Sequence, residues 1–360
     1  MRVDRLWLTD FRNYESADLT LAPGLTVVVG DNGEGKTNLL EAVGYLASLS
    51  SFRAAPDDAL VRQGTERAIV RAEADRDGRA LLIEAEIVAS GRNRVQVNRQ
   101  PLRRARDLLG ALRASAFSPD DLVLVKGGPA ERRRYLDDAL VALHPRNDQL
   151  RSDVDKVLRQ RNALLKSAGG RLDGDAASTL DVWDARLAEL GTTLADARVE
   201  LLDRLRPLLA SSYDELARTP AAVDVSYVSS WRDVDGGLAV ALVESRRDDV
   251  RRGLSLVGPH RDEVAITLAG RPSRTHASQG EQRSLALALR LAAHALVTEV
   301  TASAPVLLLD DVFSELDPGR SAALLRLLPP GQALLTTAGH VPDEARVERL
   351  LRIEAGKVVE

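Results

Sequence analysis

The spacing of apolar positions changes period several times along this chain, and each change marks an element. Val3, Leu6 and Leu8 predict a first strand that ends at Thr9-Asp10-Phe11-Arg12-Asn13-Tyr14, and Asp18 to Leu21 is a candidate second one. Ala22-Pro23-Gly24 turns the chain into Leu25-Thr26-Val27-Val28-Val29, an apolar, β-branched run that suits a strand buried on both faces. From Thr37 to Leu49 the period lengthens, with Leu39, Leu40, Val43 and Leu46 on one helical face. Arg67–Ala74 and Ala80–Val88 then alternate around a turn at Asp75–Gly78, and Arg94–Asn98 keeps β character. A mixed or antiparallel region should therefore lie beside the first core.

Ala114–Phe117 reads as a short strand, Ser118-Pro119-Asp120-Asp121 as a helix start, and Pro129 opens a helix to about Leu143. Two apolar stripes follow. Leu143, Leu150, Val157 and Leu164 are spaced by seven, as are Leu180, Leu187, Leu194, Leu201 and Leu208, with Trp183, Leu190 and Ala197 between them. They predict two packed helices, broken at Ala168-Gly169-Gly170 and restarted with Ser178 or Thr179 as the cap. An arm of about 22 residues would be roughly 33 Å long, a short helical subdomain. Val223–Val228 and Val264–Leu268 read as strands around a helix at Asp235–Arg252. A long apolar helix from Arg283 to about Val300 precedes the buried strand Pro305–Leu309. Another strand covers Gln332–Thr336, and Leu351–Glu354 with Val358–Glu360 forms a terminal hairpin around Ala355-Gly356.

Three stretches carry chemistry. Gly30-Asp31-Asn32-Gly33-Glu34-Gly35-Lys36-Thr37 reads G-x-x-x-x-G-K-T between a strand and a helix. Its glycines let backbone N–H groups turn inward around a di- or triphosphate, and the helix N-terminus adds partial positive charge. Lys36 would reach the β- and γ-phosphates and Thr37 would place a hydroxyl on Mg²⁺; a Gly-rich surface turn is the alternative. Val306–Asp311 is four apolar residues and two acids, a Walker B pattern. Asp310 would hold Mg²⁺ and Asp311 would orient the attacking water, although buried strands also end in Asp. Ser278-Gln279-Gly280-Glu281-Gln282 opens a helix just upstream. It can supply a second phosphate site in a head-to-tail sandwich of two copies, or Ser278 can be an N-cap on a core helix.

Composition narrows the setting. The chain has 360 residues, enough for one large lobe and a smaller one, and no cysteine, which excludes disulfides and thiolate chemistry. No signal peptide is expected at Met1-Arg2-Val3-Asp4-Arg5, nor an apolar run approaching the roughly 18 residues of a membrane span, so a cytoplasmic protein is expected. The net charge of −4 gives no global support for nucleic-acid binding, which must come from local patches. Candidate DNA contacts are Arg103, Arg104 and Arg106; Arg132, Arg133 and Arg134; and Arg246, Arg247, Arg251 and Arg252. Each group neighbours acids such as Glu131 and Asp137, so a solvated helix face stays open for each.

Taken together, the P-loop, Ser278–Gln282, Val306–Asp311 and Ser314-Glu315-Leu316-Asp317 resemble an ABC-type ATPase head of the SMC-related class. The resemblance is closer still to the RecF family of bacterial recombinational-repair proteins. It is carried by Leu8–Tyr14, Gly30–Thr37, Phe117–Leu122, Arg132–Asp137, Leu256-Val257-Gly258-Pro259-His260-Arg261-Asp262 and Ser278–Glu281. It implies an α/β fold, an ABC-type P-loop head with a mixed sheet core, an antiparallel β region and an inserted helical hairpin. Residues 1–144 and 216–360 would form the head and 145–215 the arm.

The resemblance further implies a weak, DNA-stimulated ATPase using ATP and Mg²⁺. It implies an ATP-dependent homodimer that clamps DNA at gaps or duplex–single-strand junctions, and work with RecO and RecR to load RecA in replication and the SOS response. By the same resemblance Arg12 and Asn13 should approach the nucleotide, and Asp317 should lie in the loop crossing the dimer interface. Asp311 stands where the wider class has glutamate, and Thr337 where many heads carry a switch histidine, with His340 three residues on. Both departures imply slow hydrolysis. Asp120 stands where the loop linking the lobes often has glutamine. The competing class is another SMC-like ATPase or a transporter ATPase subunit, whose heads bring the P-loop and signature closer than the roughly 240 residues between Thr37 and Ser278.

Overall fold

The computed structural model describes residues 1–217, 221–339, 341 and 345–359, with Glu315 described by its backbone only. His340 lies outside the described residues. The chain divides into two compact units, one of 1–122, 211–220 and 283–360, the other of 123–210 and 221–282. These boundaries fall elsewhere than the head–arm–head division drawn from the sequence.

The first unit holds two sheets. The antiparallel one is built from β1 (Arg2–Phe11), β2 (Tyr14–Thr20), β4 (Arg67–Arg76), β5 (Arg79–Val88), β6 (Arg94–Val97) and β7 (Gln100–Pro101), in the order β2-β1-β4-β5-β6-β7. The other contains β3 (Leu25–Val29), β8 (Ala114–Phe117), β12 (Val306–Asp310), β13 (Ala333–Thr337), β14 (Val347–Glu354) and β15 (Lys357–Val359), in the order β15-β14-β3-β13-β12-β8. Its pairings are parallel except β14–β15. Burial follows these roles. β4 alternates core and solvent positions, as a one-sided antiparallel strand must, whereas every residue of β12 and β13 is buried.

The helix Lys36–Ser48 joins the two sheets. Leu39, Leu40, Val43 and Leu46 pack in one hydrophobic cluster with Leu6 and Leu8 of β1, Val70 of β4, Ile83 of β5 and Leu308 of β12. The last strand differs from expectation. β14 begins at Val347 and lies parallel beside β3, pairing Leu350 with Val27, so the terminal hairpin extends the parallel sheet. The helix Gln279–Thr301 is apolar and long enough, by length and composition, to cross a membrane, which the sequence reading did not foresee. Because 61% of its most apolar stretch is buried inside the structure, it has the environment of a core helix.

The second unit contains the helices Pro129–Leu143, Arg146–Ser167 and Gly237–Arg252, most of the helix Gly174–Leu216, and a three-stranded sheet β11-β10-β9 (Arg271–Pro272, Glu263–Leu268, Val223–Val228). The hairpin is less symmetric than the sequence suggests. Its first helix has 22 residues, but the second runs for 43, roughly 65 Å at 1.5 Å per residue, continuing through Pro207. Its cap is Asp173, whose carboxylate accepts from the Ala176 N–H at 2.8 Å. Ser178 and Thr179 sit inside the helix and donate to the carbonyls four residues back. An aspartate one residue before the helix outcompetes a serine and a threonine that are already helical.

Buried charge ties this unit together. The Arg161 side chain is fully buried and pairs with Asp184 at 2.6 Å and Asp249 at 2.7 Å. Arg198 makes two bonds to Asp137, at 2.7 and 2.8 Å, and donates to the Pro259 carbonyl. Asp262 accepts from Tyr227 Oη at 2.7 Å and from Trp231 Nε1. The Gly-Pro-His-Arg-Asp stretch is thus a packed hub joining strands to helices. Partnered buried charges of this kind are costly to break singly.

Candidate functional site

The site is built at the C-terminal ends of β3 and β12, where open parallel sheets bind ligands. β3 delivers the loop 30–35. Gly30 has φ +157°, and a Cβ there would sit 2.3 Å from the Ile353 carbonyl oxygen. Gly35 has φ +113°, and its Cβ would sit 2.5 Å from Asn13 Nδ2. A side chain at Gly30 would have to move the Ile353 backbone, and one at Gly35 would have to displace the Asn13 side chain from a left-handed backbone that favours glycine. The helix then starts at Lys36 with no side-chain cap, so its first N–H groups remain available to an anion. Asp31, Asn32 and Gly33 form the exposed crest of the loop.

Lys36 is buried and its ammonium donates to the Gly30 and Asp31 carbonyls, at 2.7 and 2.8 Å. These oxygens satisfy the charge in the position where phosphate oxygens would. Thr37 Oγ1 donates to Asp310 Oδ1 at 2.7 Å, and Thr336 Oγ1 donates to the same oxygen at 2.8 Å. Burial raises the Asp310 carboxyl above the usual carboxylate range, against the lowering effect of the two hydroxyls and of Arg53.

Asp311 sits at φ +46°, a left-handed conformation uncommon outside glycine. Its N–H is held by the Thr336 carbonyl at 3.1 Å and Oγ1 at 3.0 Å, and one carboxylate oxygen accepts from Ser314. The other oxygen, Oδ1, is buried with no hydrogen-bond partner. The Thr37 hydroxyl and the Asp310 carboxylate, 2.7 Å apart, are oxygen donors of the kind a small hard cation takes. Thr37 and Asp310 therefore fit Mg²⁺.

Arg12 and Asn13 lie beside the loop, but each is already engaged. The Arg12 guanidinium makes a two-point bond to the fully buried Glu41, at 2.7 and 2.8 Å, and reaches the Ala59 carbonyl. Asn13 donates to the Glu34 carbonyl and accepts from Asn38. Glu34 also binds the hairpin turn, through its carboxylate to the Ala355 N–H and through its carbonyl to Gly356 N–H. These contacts buttress the loop from behind. Three residues were not visible as site residues in the sequence. Thr336 and Glu41 are polar positions inside apolar runs, which is the signal that marks them. Exposed Arg53 follows the P-loop helix and has no motif of its own; its guanidinium reaches Asn38 at 3.4 Å.

Ser278 lies in the second unit. Ser278 Oγ accepts from the Glu281 N–H at 3.3 Å, while Glu281 accepts from the Ser278 N–H at 2.7 Å. This is a capping box, and Ser278 and Gln279 remain exposed while Gly280 is half-buried. Asp317 caps the helix Pro318–Leu327 through Gly319 and Arg320 N–H groups. In the stretch 118–122 it is Asp121 that is anchored, paired with Arg290 at 2.5 Å, while Asp120 is exposed.

The candidate DNA contacts separate by burial. Arg132 is a correction: it is buried, makes a two-point bond to Glu263 at 2.8 Å, and donates to the Leu124 and Gly127 carbonyls. Arg133 donates to the Asp262 carbonyl, and Arg246 is bound to Asp181 and Asp184. These arginines are taken up by pairing inside the fold. Arg134 faces Asp138 at 3.7 Å and Arg251 pairs with Asp248. Arg103, Arg104, Arg247 and Arg252 are exposed.

Comparison with known proteins agrees with this architecture. The family described as RecF/RecN/SMC N terminal domain matches residues 2–337. The chain is 43% identical to the DNA replication and repair protein RecF of Arthrobacter sp. (strain FB24), over 99% of this chain and 98% of that protein. It is 46% identical to the protein of the same name from Streptomyces avermitilis, over 95% of each. A solved structure of the recombination mediator protein RecF-ATP in the RecFOR pathway matches with a TM-score of 0.92 at 30% identity, covering 99% of this chain and 96% of that one. An Smc head bound to the C-winged helix domain of ScpA matches with a TM-score of 0.60 at 16% identity, over 100% and 97% of the two chains, a likeness of fold alone. The fold is that of an ABC-type ATPase head, and the chain belongs to the RecF family of DNA replication and repair proteins.

Proposed function

We propose that this chain is an ATP-binding, slowly hydrolysing, DNA-binding protein of recombinational repair. The observation that carries the reading is the bond between Thr37 of the P-loop helix and Asp310 of β12, beside a lysine folded onto its own loop. On nucleotide binding, Lys36 exchanges the Gly30 and Asp31 carbonyls for β- and γ-phosphate oxygens. The loop N–H groups of Asp31 to Lys36 cradle the phosphates. Thr37 and Asp310 would hold Mg²⁺, which would supply positive charge against the phosphates. The unpartnered Oδ1 of Asp311 accepts a hydrogen bond from the attacking water and orients it in line. Aspartate reaches one methylene less far than glutamate, and turnover should be slow for that reason.

Ser278–Glu281 would cap the γ-phosphate held by a second copy, and Asp317 would lie in the loop that crosses between copies. The resulting ATP-dependent homodimer would hold DNA at gaps and duplex junctions, acting with RecO and RecR in loading RecA, in replication and in the SOS response. The names of the relatives, and the RecFOR pathway named for the ATP-bound structure, support this reading. A cytoplasmic location suits it. Lys36→Met tests its foundation. Titration calorimetry should show ATP affinity lost in the variant, and an unchanged affinity would sink the P-loop assignment.

A further inference from the structure

The segment Gly91–Arg106 contains six arginines, Arg92, Arg94, Arg99, Arg103, Arg104 and Arg106, and no acid, in a chain of net charge −4. It forms β6, β7 and the turn that follows, at the open edge of the antiparallel sheet. Arg92, Arg99 and Arg103 are exposed with no ion pair among the described residues, and Arg94 and Arg104 are 82% and 67% exposed beside single acids.

The frame that carries these charges is fixed. Asn98 and Arg99 have φ of +51° and +64°, a tight two-residue hairpin turn that places Arg99 at the tip. Asn98 is bonded to Leu82 through both its backbone N–H and its side-chain oxygen, at 2.7 and 2.8 Å. Asn93 holds the other end, accepting from the Val88 N–H and donating to Tyr45 and Asp57. The Leu102 N–H reaches the Val95 carbonyl at 2.9 Å. A rigid hairpin with like charges set out along it repels itself in water and gains when a polyanion arrives, with little ordering cost. Charges and a proline also blunt sheet edges against aggregation, but one or two serve that purpose.

We propose that the hairpin 91–106 is a phosphate-backbone contact for duplex DNA, separate from the nucleotide site. The proposal rests on the reading of the protein as DNA-binding and places that binding on this edge. Contacts to the phosphate backbone predict binding that is indifferent to sequence and steep in salt.

The test is fluorescence anisotropy of a random-sequence duplex against salt, with ATP present, comparing the unsubstituted chain with Arg92→Ala/Arg99→Ala/Arg103→Ala. A matching Arg247→Ala/Arg251→Ala/Arg252→Ala chain serves as the control. Each lost phosphate contact removes about 0.9 from the slope of log affinity on log salt. The hairpin variant should lose between about 1 and 3 in slope and at least tenfold in affinity at about 0.1 M salt, with ATP binding and thermal midpoint unchanged. The control should bind as the unsubstituted chain does. Full affinity and slope in the hairpin variant would overturn the proposal while leaving the DNA-binding reading intact. Failure of the unsubstituted chain to bind DNA would overturn both.

Discussion

Thr37 and Asp310 lie 273 positions apart, and a hydrogen bond of 2.7 Å joins their side chains. That bond connects the first turn of the P-loop helix to the end of β12, and Thr336 on the neighbouring strand holds the same carboxylate oxygen. Two hydroxyls on one buried acid make a site shaped before any ligand arrives. Thr37→Val should therefore reduce Mg²⁺-dependent ATP affinity about tenfold or more while costing only about 1–2 kcal/mol of stability. Calorimetric titrations with and without Mg²⁺ check this, and a Mg²⁺-dependent affinity equal to that of the unsubstituted chain would contradict it.

Asp311→Asn separates binding from hydrolysis. The side chain keeps its shape, and its amide oxygen can still accept from Ser314, but the negative charge that polarises water is lost. Phosphate release should fall to background with ATP affinity within about threefold of the original. Turnover by the unsubstituted chain well above the enzyme median of about 10 s⁻¹ would count against the short-acid argument.

Arg132 offers a contrast with the exposed arginines. Replacing it with alanine leaves Glu263 facing a half-buried void and two carbonyls unpaired, at a cost of about 2–4 kcal/mol. Chemical denaturation should show that loss, whereas the folded fraction should bind duplex DNA with undiminished affinity. A large loss of DNA affinity at unchanged stability would restore Arg132 as a contact.

Acid should destabilise the protein before its carboxylates titrate. His294 is buried with neither ring nitrogen partnered, and burial holds it down at about 4; His260, half-buried, is also held at about 4 by loss of solvent and by nearby arginines, against its bond to the Ser255 carbonyl. In the unfolded chain a histidine protonates near 6.5. Both therefore favour the folded state fully above about pH 6.5, and that contribution is lost as pH falls from about 6.5 to about 4. His294→Leu should flatten this part of the stability–pH curve without destabilising the protein at pH 7. An unchanged acid limb would show that the imidazole is solvated.

Much of the site is legible in the sequence because it is local. The loop, its strand and its helix adjoin, and glycine spacing with a lysine and threonine states the chemistry. The Walker B strand is legible for the same reason, four apolar residues and two acids in a row. What the sequence conceals is non-local. Nothing near Val347 announces that β14 will pair with β3 over three hundred residues away, and nothing near Arg132 announces Glu263. Pairing across such distances is decided by packing, so a buried arginine and an exposed one look alike in a local window. The full length of the helix from Gly174 to Leu216 is hidden for a different reason. Pro207 argues for a break, and the packed leucines on either side, Leu205 and Leu209 among them, carry the helix through it.

The proposed joining of two copies by ATP through Ser278 is decided by sedimentation equilibrium of the chain and its Ser278→Arg variant with a non-hydrolysable ATP analogue. In the free chain Ser278 caps its own helix, and losing that cap alone costs about 1 kcal/mol. If the serine also meets the other copy's γ-phosphate, the unsubstituted chain should dimerise with the analogue and not with ADP. The variant should bind nucleotide with unaltered affinity yet remain monomeric. A variant that dimerises as the unsubstituted chain does, or an unsubstituted chain that stays monomeric with the analogue, would rule out the role of Ser278 between copies.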